Sequence, residues 1–242
     1  MRGIRVFAEL PLEKGREFVA PEALAHYMRD VLRLRSGDPI RTFNGSGEEF
    51  AGVVGAVSRK AMRILVGEEL PALPESPLAV HLGLGLSKGE RMDYALQKAT
   101  ELGVASITPL LLARCNAKLP EERSESRMRH WRRVIVGACE QSGRARLPEL
   151  GLTITLEGWL GTRPELPGLV LHTRDALTLD AFGEAPSGVR VLVGPEGGLE
   201  DAEFAAALAA GFRAWSLGPR VLRAETAPVA ALAVLQHRWG DL

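Results

Sequence analysis

After residue 77 the chain alternates between apolar runs and helical stretches, and this rhythm restricts the possible fold more than any other feature. The apolar runs are Leu78–Leu86, Ala105–Leu112, Gly168–Thr173, Val189–Gly194 and Ala214–Leu217. The helical stretches are Glu90–Leu102, Arg127–Gln141, Asp201–Ala210 and Ala227–Trp239. Continuous apolar strands that alternate with helices are typical of a parallel sheet covered on both faces. The sequence therefore predicts an α/β domain whose ligand lies beyond the carboxyl ends of its strands.

The residues before this region have a different pattern. Short β-like runs lie at Ile4–Glu9, Asp38–Asn44, Glu49–Ser58 and Ala61–Gly67, with one helical stretch at Pro21–Leu34. The turn Asn44–Gly47 is typical of a hairpin, and the three prolines of residues 71–77 favour an extended connection. We predict a small, mostly-β binding domain over residues 1–70, a linker over 71–77 and the α/β domain over 78–242.

Charge points to nucleic acid only locally. The 242 residues include 30 Lys and Arg and 30 Asp and Glu, so the net charge indicates no particular partner. From Arg114 to Arg146, however, nine basic residues stand among four acidic ones. Such a segment can neutralise RNA phosphates, and a solvated helix face is the alternative. The low aromatic content of 5% argues against a stacking platform for bases.

Several classes of protein are made improbable by what the sequence lacks. Cys115 and Cys139 stand in no metal-ligand spacing, which argues against a disulfide scaffold and a zinc site. The start of the chain has no apolar run of the signal-peptide type, and no stretch approaches the length of a membrane span. We expect a cytoplasmic protein with no metal and no membrane partner.

Two glycine-containing segments follow predicted strands of the α/β domain. Gly194–Leu199 and Leu217–Ala227 each lead into a helix, and the second contains two arginines and a glutamate. Glycines allow a ligand to approach the backbone closely, so the two segments together can enclose an adenosyl group. The simpler alternatives are a helix-capping role for Glu196 and an N-cap role for Thr226.

A third glycine segment, Gly83–Gly89, resembles a dinucleotide fingerprint only loosely. Its third glycine is one place late, and no acidic residue ends the next strand. A nicotinamide-dependent oxidoreductase is therefore a weak alternative, and a turn that needs small residues is the better interpretation. Lys88 and Arg91 in this turn are candidates for contacts with RNA phosphate.

Taken together, the motifs are similar to those of one family. They are Lys88–Met92, Gln97–Gly103, Glu140–Arg144, Gly194–Gly198 and Leu217–Ala227, with Arg5-Val6-Phe7 near the start. In this order they resemble the bacterial RsmE family, which methylates N3 of a uridine in small-subunit (16S) ribosomal RNA. Arg114 and Lys118 also match a family stretch, whereas Cys115 between them departs from the usual serine. The resemblance covers almost the whole chain.

The resemblance implies a fold, a cofactor and partners. It implies a SPOUT-class methyltransferase domain from about residue 74 with a deep trefoil knot, preceded by a PUA-like RNA-binding β-barrel. It also implies S-adenosylmethionine as cofactor, the small ribosomal subunit as substrate and a homodimer. We expect the interface to include the small-faced last helix, with Ala227, Ala230, Ala231 and Val234. A noncatalytic RNA-binding protein and a ribose 2′-OH methyltransferase stay open as alternatives.

Three sets of site residues follow. Cofactor contacts are expected from Leu171, His172, Gly194, Pro195, Glu196, Gly198, Leu217, Gly218, Leu222, Arg223, Thr226 and Ala227. RNA contacts are expected from Arg5, Lys88, Arg91, Arg114, Lys118, Arg144 and Arg146. Arg223, Arg144 and Arg5 are candidates for stabilising the charge that develops on the uracil oxygens.

Overall fold

The protein divides into two compact units. The computed structural model describes residues 3–58, 61–115, 124–173 and 176–242. Unit 1 comprises Met1–Glu75 together with Cys139–Leu147, and unit 2 comprises Ser76–Ala138 and Pro148–Leu242. The division falls inside the predicted linker, whereas the return of Cys139–Leu147 to unit 1 has no counterpart in the sequence-based division.

Unit 1 is built on a five-stranded mixed sheet. Its strands are β1 (Arg5–Phe7), β2 (Glu17–Val19), β3 (Pro39–Phe43), β4 (Glu49–Val57) and β5 (Met62–Leu70), in the order β1-β3-β4-β5-β2. The helix α1 (Glu22–His26) continues as one π-helical turn, Tyr27–Val31. The predicted hairpin is confirmed, since Phe43 pairs with Glu49 across the antiparallel β3–β4 ladder. The buried core of the unit includes Val6, Met28, Ile40 and Ile64.

Unit 2 contains the predicted parallel sheet. Its strands are β6 (Ala79–Gly85), β7 (Ser106–Leu111), β8 (Glu149–Leu150), β9 (Ile154–Thr155), β10 (Gly168–Leu171), β11 (Gly188–Val193) and β12 (Phe212–Trp215). Their order is β12-β10-β11-β6-β7-β8, with β9 also paired to β7, and every pairing is parallel. Every residue of β11 is buried, as expected for a strand covered on both faces.

Four longer helices alternate with these strands along the chain. They are α2 (Glu90–Glu101), α3 (Ser124–Ser142), α5 (Asp201–Ala209) and α6 (Thr226–Trp239), and α4 (Leu156–Leu160) is a short helix. All four longer helices were predicted, although α3 begins three residues earlier than its apolar spacing indicates. None of the helices within the described ranges is long and apolar enough to cross a membrane.

The short elements escaped prediction. β2, β8, β9, α4 and a 3-10 turn at Leu179–Phe182 have between two and five residues each. A run of this length cannot display a helical or strand period, so pairing with neighbours decides its structure. In β2, for example, both Glu17 and Val19 are exposed and only Phe18 is half-buried.

The strand order places three loops at one edge of the sheet. β10 pairs in parallel with both β11 and β12, so the ends of these strands at Leu171, Val193 and Trp215 lie side by side. The segments that follow these strands include both glycine-containing segments singled out from the sequence. The trefoil knot stays a prediction.

Candidate functional site

A cavity of about 810 Å³ opens at this edge of unit 2. It is lined by the segments that follow β10, β11 and β12, by the start of α6, and by Arg91 and Arg114. Of the twelve residues predicted to contact the cofactor, eleven line it: Leu171, His172, Gly194, Pro195, Glu196, Gly198, Leu217, Gly218, Leu222, Arg223 and Ala227. The two glycine segments thus form one concave site.

The first segment, Gly194–Leu199, is a tight turn between β11 and α5. The Gly198 N–H donates to the Pro195 carbonyl at 2.9 Å, and Gly198 adopts a φ of +71°. A side chain is disfavoured there by backbone strain rather than by space, because a Cβ on Gly198 would meet nothing within 4 Å. The helix that follows is capped by Glu200 and Glu203, which form a capping box. The alternative that gave Glu196 the capping role is therefore wrong.

The second segment, Leu217–Ala227, is joined at its start to the side chain of Ser216 by hydrogen bonds. Ser216 Oγ accepts from the Gly218 N–H and donates to the Gly218 carbonyl, both at 3.2 Å, with Gly218 at a φ of +103°. α6 begins at Thr226, and Glu225 rather than Thr226 is its N-cap. Thr226 is exposed and is the one predicted cofactor residue outside the cavity lining. Its neighbours Glu225 and Ala227 line the cavity instead.

Glu196 is the most constrained carboxylate of the cavity. Its Oε1 accepts from Arg91 Nη1 at 3.1 Å, while Oε2 is buried and makes no hydrogen bond of normal geometry with the described residues. Burial acts to raise the pKa of Glu196, but the backbone N–H groups of Glu196 and Lys88, together with Arg91, outweigh it and hold the pKa below its usual value. The site thus presents a carboxylate that stays ionised although it is partly buried.

The four arginines of the cavity fall into two classes. Arg91 is paired with Glu196, and Arg114 Nη1 donates to the Gly197 carbonyl at 3.1 Å. Arg220 and Arg223 are exposed, and within the described residues their guanidinium groups have no partner. The sequence interpretation named Arg223 but missed Arg220, although both belong to the same loop.

Other residues of the lining were not assigned to the cofactor site from the sequence. Val221 lies between Arg220 and Leu222 with 86% of its surface exposed. Asp201 and Glu225 add two carboxylates to that of Glu196. The signal that could have found them was their position, since Val221 and Glu225 lie within one glycine-containing segment and Asp201 lies two residues after the other.

His172 occupies the third side of the cavity. Its ring stacks on Phe204 of α5, with the centroids 4.1 Å apart and the planes 21° from parallel. This stacking fixes the imidazole at the end of β10. His172 therefore contributes a rigid wall next to the glycine turn.

Arg5 and Arg144 are not among the residues that line the cavity. Both belong to unit 1, where each is 7% exposed and paired with a carboxylate, Arg5 with Glu49 and Arg144 with Glu75. Because both guanidinium groups are buried and paired, we assign Arg5 and Arg144 a structural role instead of the predicted roles in catalysis and RNA contact.

The remaining predicted RNA contacts differ in their surroundings. Lys88 and Arg146 are exposed, whereas Arg91 and Arg114 line the cavity. Lys118 lies outside the described residues. Contact of Lys88, Lys118 and Arg146 with RNA stays a prediction.

In the segment Gly83–Gly89, the two glycines at the end of β6 serve packing. A Cβ on Gly83 would lie 2.7 Å from the Trp159 ring, and one on Gly85 would lie 2.5 Å from the Pro195 nitrogen. These approaches bring β6 against α4 and against the Gly194–Leu199 turn. Close packing therefore accounts for Gly83 and Gly85, and no bound dinucleotide is needed to explain them. Within the described ranges, no group of three or more His, Cys, Asp or Glu residues could hold a metal ion.

Known proteins match both units of this architecture. Residues 74–236 match the RNA methyltransferase domain family, and residues 21–66 match the RNA methyltransferase PUA domain family. The ribosomal RNA small subunit methyltransferase E of Buchnera aphidicola (subsp. Schizaphis graminum) is 31% identical over 98% of this chain and 97% of its own. The chain belongs to the ribosomal RNA small subunit methyltransferase E family.

Solved structures agree with this assignment. The family member from Neisseria gonorrhoeae, solved bound to S-adenosyl methionine, has a TM-score of 0.93 at 33% identity over 99% of each chain. A Legionella pneumophila protein described as a candidate methyltransferase, solved with the same cofactor, reaches 0.96 at 38% identity over 100% of each chain. The predicted combination of a PUA-like region and a SPOUT-type parallel-sheet domain is confirmed.

Proposed function

We propose that this protein transfers a methyl group from S-adenosylmethionine to small-subunit ribosomal RNA, with N3 of one uridine as the acceptor. The observation that carries the proposal is the cavity of unit 2, in which two glycine-containing segments meet at the carboxyl ends of adjacent parallel strands. The names and bound cofactor of the Buchnera and Neisseria relatives support the same reaction.

The lining suits S-adenosylmethionine in size and charge. About 810 Å³ lies within the usual range for sites that bury small ligands. Glu196, Asp201 and Glu225 place three carboxylates in the lining beside four arginines, so the positive and negative groups of the ligand both have counterparts. Leu171, Leu217 and Leu222 supply apolar surface for an adenine ring. When bound, the cofactor supplies a methyl group activated on a positively charged sulfur.

Arg223 is the residue that we assign to the acceptor. Loss of the N3 proton leaves negative charge on the uracil ring and its oxygens. Arg223 is exposed, lines the cavity and has no partner in the described parts of the chain, so its guanidinium can donate to such an oxygen. A donor aimed at developing charge lowers the barrier more than it strengthens ground-state binding.

The homodimer remains part of this proposal. Val234 of α6 is 40% exposed and Ala230 is half-buried, so this face of the helix can approach a second copy closely. Ala231 was predicted to share that face, but it is 1% exposed and belongs to the core of unit 2. Action in the cytoplasm, where small ribosomal subunits are assembled in bacteria, is expected for this substrate.

The test is a map of methylated nucleosides. Small-subunit RNA from cells that lack the protein is treated with purified protein and labelled S-adenosylmethionine, then digested and analysed by mass spectrometry. We expect one 3-methyluridine to appear in treated RNA and to be missing from untreated RNA. Label on a ribose 2′ oxygen would replace the acceptor assignment, and tight RNA binding without any transfer would identify a noncatalytic RNA-binding protein.

A further inference from the structure

Arg114 makes a specific contact with the cofactor-side turn. Its Nη1 donates to the Gly197 carbonyl at 3.1 Å, and its Nε lies 3.9 Å from a Glu200 carboxylate oxygen. Both partners belong to the stretch between β11 and α5. From its sequence context Arg114 had been assigned to RNA phosphate, yet its guanidinium is directed to the protein's own backbone.

The backbones at Arg114 and Gly197 also approach each other closely. A Cβ on Gly197 would lie only 2.8 Å from the Cβ of Arg114, closer than side-chain carbons pack. Gly197 is therefore required by Arg114 rather than by a ligand alone. The sequence interpretation listed Gly194 and Gly198 as cofactor contacts and passed over Gly197, because the neighbour that needs its small size is 83 residues away.

A short turn after β7 holds Arg114 in place. The Cys115 N–H donates to the Leu112 carbonyl at 3.0 Å, and the Cys115 thiol donates to the Leu110 carbonyl at 3.6 Å. The Ala113 N–H donates to Glu203 Oε1 at 2.7 Å, while Glu203 Oε2 accepts from the Glu200 N–H at 2.9 Å. The thiol of Cys115, the unusual residue of this stretch, is thus engaged inside the turn.

These contacts place Arg114 between two fixed elements. One is the turn at residues 112–115, and the other is the capped start of α5. The Gly194–Leu199 turn that lines the cavity lies directly before that cap, and Gly197 is the fourth of its six residues. A hydrogen bond to the Gly197 carbonyl restricts the orientation of this peptide before any ligand arrives, which lowers the ordering cost of binding.

We propose that Arg114 is a positioning residue that pre-forms the cofactor turn through Gly197, and that it is not an RNA ligand. The inference rests on the proposed function, since it names S-adenosylmethionine as the ligand whose affinity depends on Arg114. It gives the basic residue at the end of β7 a role in cofactor affinity.

Cofactor affinity measured by calorimetry, without RNA, tests this proposal. Because the lost hydrogen bond is charge-assisted but half-exposed, we expect Arg114→Ala to raise the dissociation constant for S-adenosylmethionine about five- to tenfold. Arg114→Lys recovers part of that loss, since its ammonium group can still donate to the Gly197 carbonyl. Gly197→Ala produces a comparable loss, because its Cβ forces the two backbones apart. Arg129→Ala, which removes a surface arginine paired with Glu125 on α3, leaves cofactor affinity unchanged.

RNA affinity across a salt series separates the two roles of Arg114. We expect Arg114→Ala to leave the salt slope of RNA binding as in the wild type, whereas loss of a phosphate contact lowers that slope by roughly one unit. Wild-type cofactor affinity in folded Arg114→Ala overturns the proposal, as does a salt slope reduced by about one unit. If the wild-type protein itself bound no S-adenosylmethionine, the proposed function would fail instead, so the two failures are distinguishable.

Discussion

The arginines of unit 1 and those of the cofactor cavity in unit 2 differ in what surrounds them. Arg5 donates to a Glu49 carboxylate and to the carbonyls of Cys139, Glu140 and Arg144, and it is almost fully buried. Arg223 is exposed and has no partner within the described residues. A guanidinium group whose donors are satisfied internally stabilises the fold, whereas one left unpaired in a cavity is available to a ligand. The positive charge read from a sequence does not distinguish the two.

Replacement of Arg5 should have the largest effect, and it acts on stability. Among the described residues, Arg5→Ala leaves the buried Glu49 carboxylate with Arg41, 3.7 Å away, as its remaining ion-pair partner. It also takes one donor from each of three backbone carbonyls, of which that of Cys139 keeps the Gly143 N–H. Removing one member of a buried pair costs about 3–5 kcal/mol of unfolding free energy. Urea unfolding measures this loss, with Arg129→Ala as a surface control.

A loss below about 1 kcal/mol would contradict the structural role of Arg5, since that is the range of exposed ion pairs. Methylation by Arg5→Ala should fall only in proportion to the unfolded fraction. A greater fall in a fully folded sample would restore the catalytic assignment and remove the contrast between the two units.

Replacement of Arg223 should show the reverse behaviour. Arg223→Ala removes a donor from the developing charge, and we expect single-turnover methylation to slow about a hundredfold, or roughly 2.7 kcal/mol. Unfolding free energy should stay within about 0.5 kcal/mol of wild type, because the side chain is exposed. The control is Arg213→Ala, an exposed arginine that donates to the Ala181 carbonyl and does not line the cavity. A methylation rate close to wild type in Arg223→Ala would move the acceptor assignment elsewhere in the cavity.

Cys139 offers a smaller test within unit 1. Burial raises the pKa of its thiol from 9.0 to about 11, and the nearby charges of Arg144 and Arg5 do not offset this. The folded state thus keeps a proton that the unfolded state loses, so stability is lost as pH rises from 9 to 11. The two pKa values imply about 2 kcal/mol over this window.

The measurement is urea unfolding at several pH values for wild type and Cys139→Ala. We expect the wild type to lose about 2 kcal/mol more than the variant between pH 9 and 11. Tyr27, whose pKa is also raised by burial, contributes equally to both proteins and cancels in the difference. If the unfolding free energies of the two proteins changed with pH in the same way, the Cys139 thiol would be solvated. The surroundings of Arg5, which donates to the Cys139 carbonyl, would then be solvated as well.

The sequence was most informative where the presence of a residue type at a position has a single physical explanation. Apolar runs predicted every strand of four or more residues in unit 2, because strands covered on both faces need them. The last of these was misplaced, since β12 (Phe212–Trp215) begins two residues before the predicted Ala214–Leu217. Glycines before helices predicted the cavity, because they mark places where the chain turns sharply. In contrast, Arg5 and Arg114 could not be placed from the sequence, since the carboxylate of Glu49 and the carbonyl of Gly197 that engage them are 44 and 83 residues away.

Two smaller errors of the sequence-based prediction concern the last helix, α6. Thr226 has the right chemistry for an N-cap, yet α6 begins at Thr226 itself, so that Glu225 is the N-cap residue. Ala231 shares small size with Ala230, but only the direction of the helix relative to the core decides which of them is covered. Small offsets of this kind depend on packing, which no local pattern encodes.

Unit 1 consists of two separate stretches of chain, and this affects the order in which the protein can be made. Residues leave the ribosome from the N-terminus onward, so Met1–Glu75 emerges before the carbonyls of Cys139, Glu140 and Arg144 that Arg5 engages. At about 5–20 residues per second, the intervening stretch of 63 residues, Ser76–Ala138, takes about 3–13 s to synthesise. During that interval Arg5 has Glu49 but none of these carbonyls, so unit 1 stays incomplete until the first stretch of unit 2 has been synthesised.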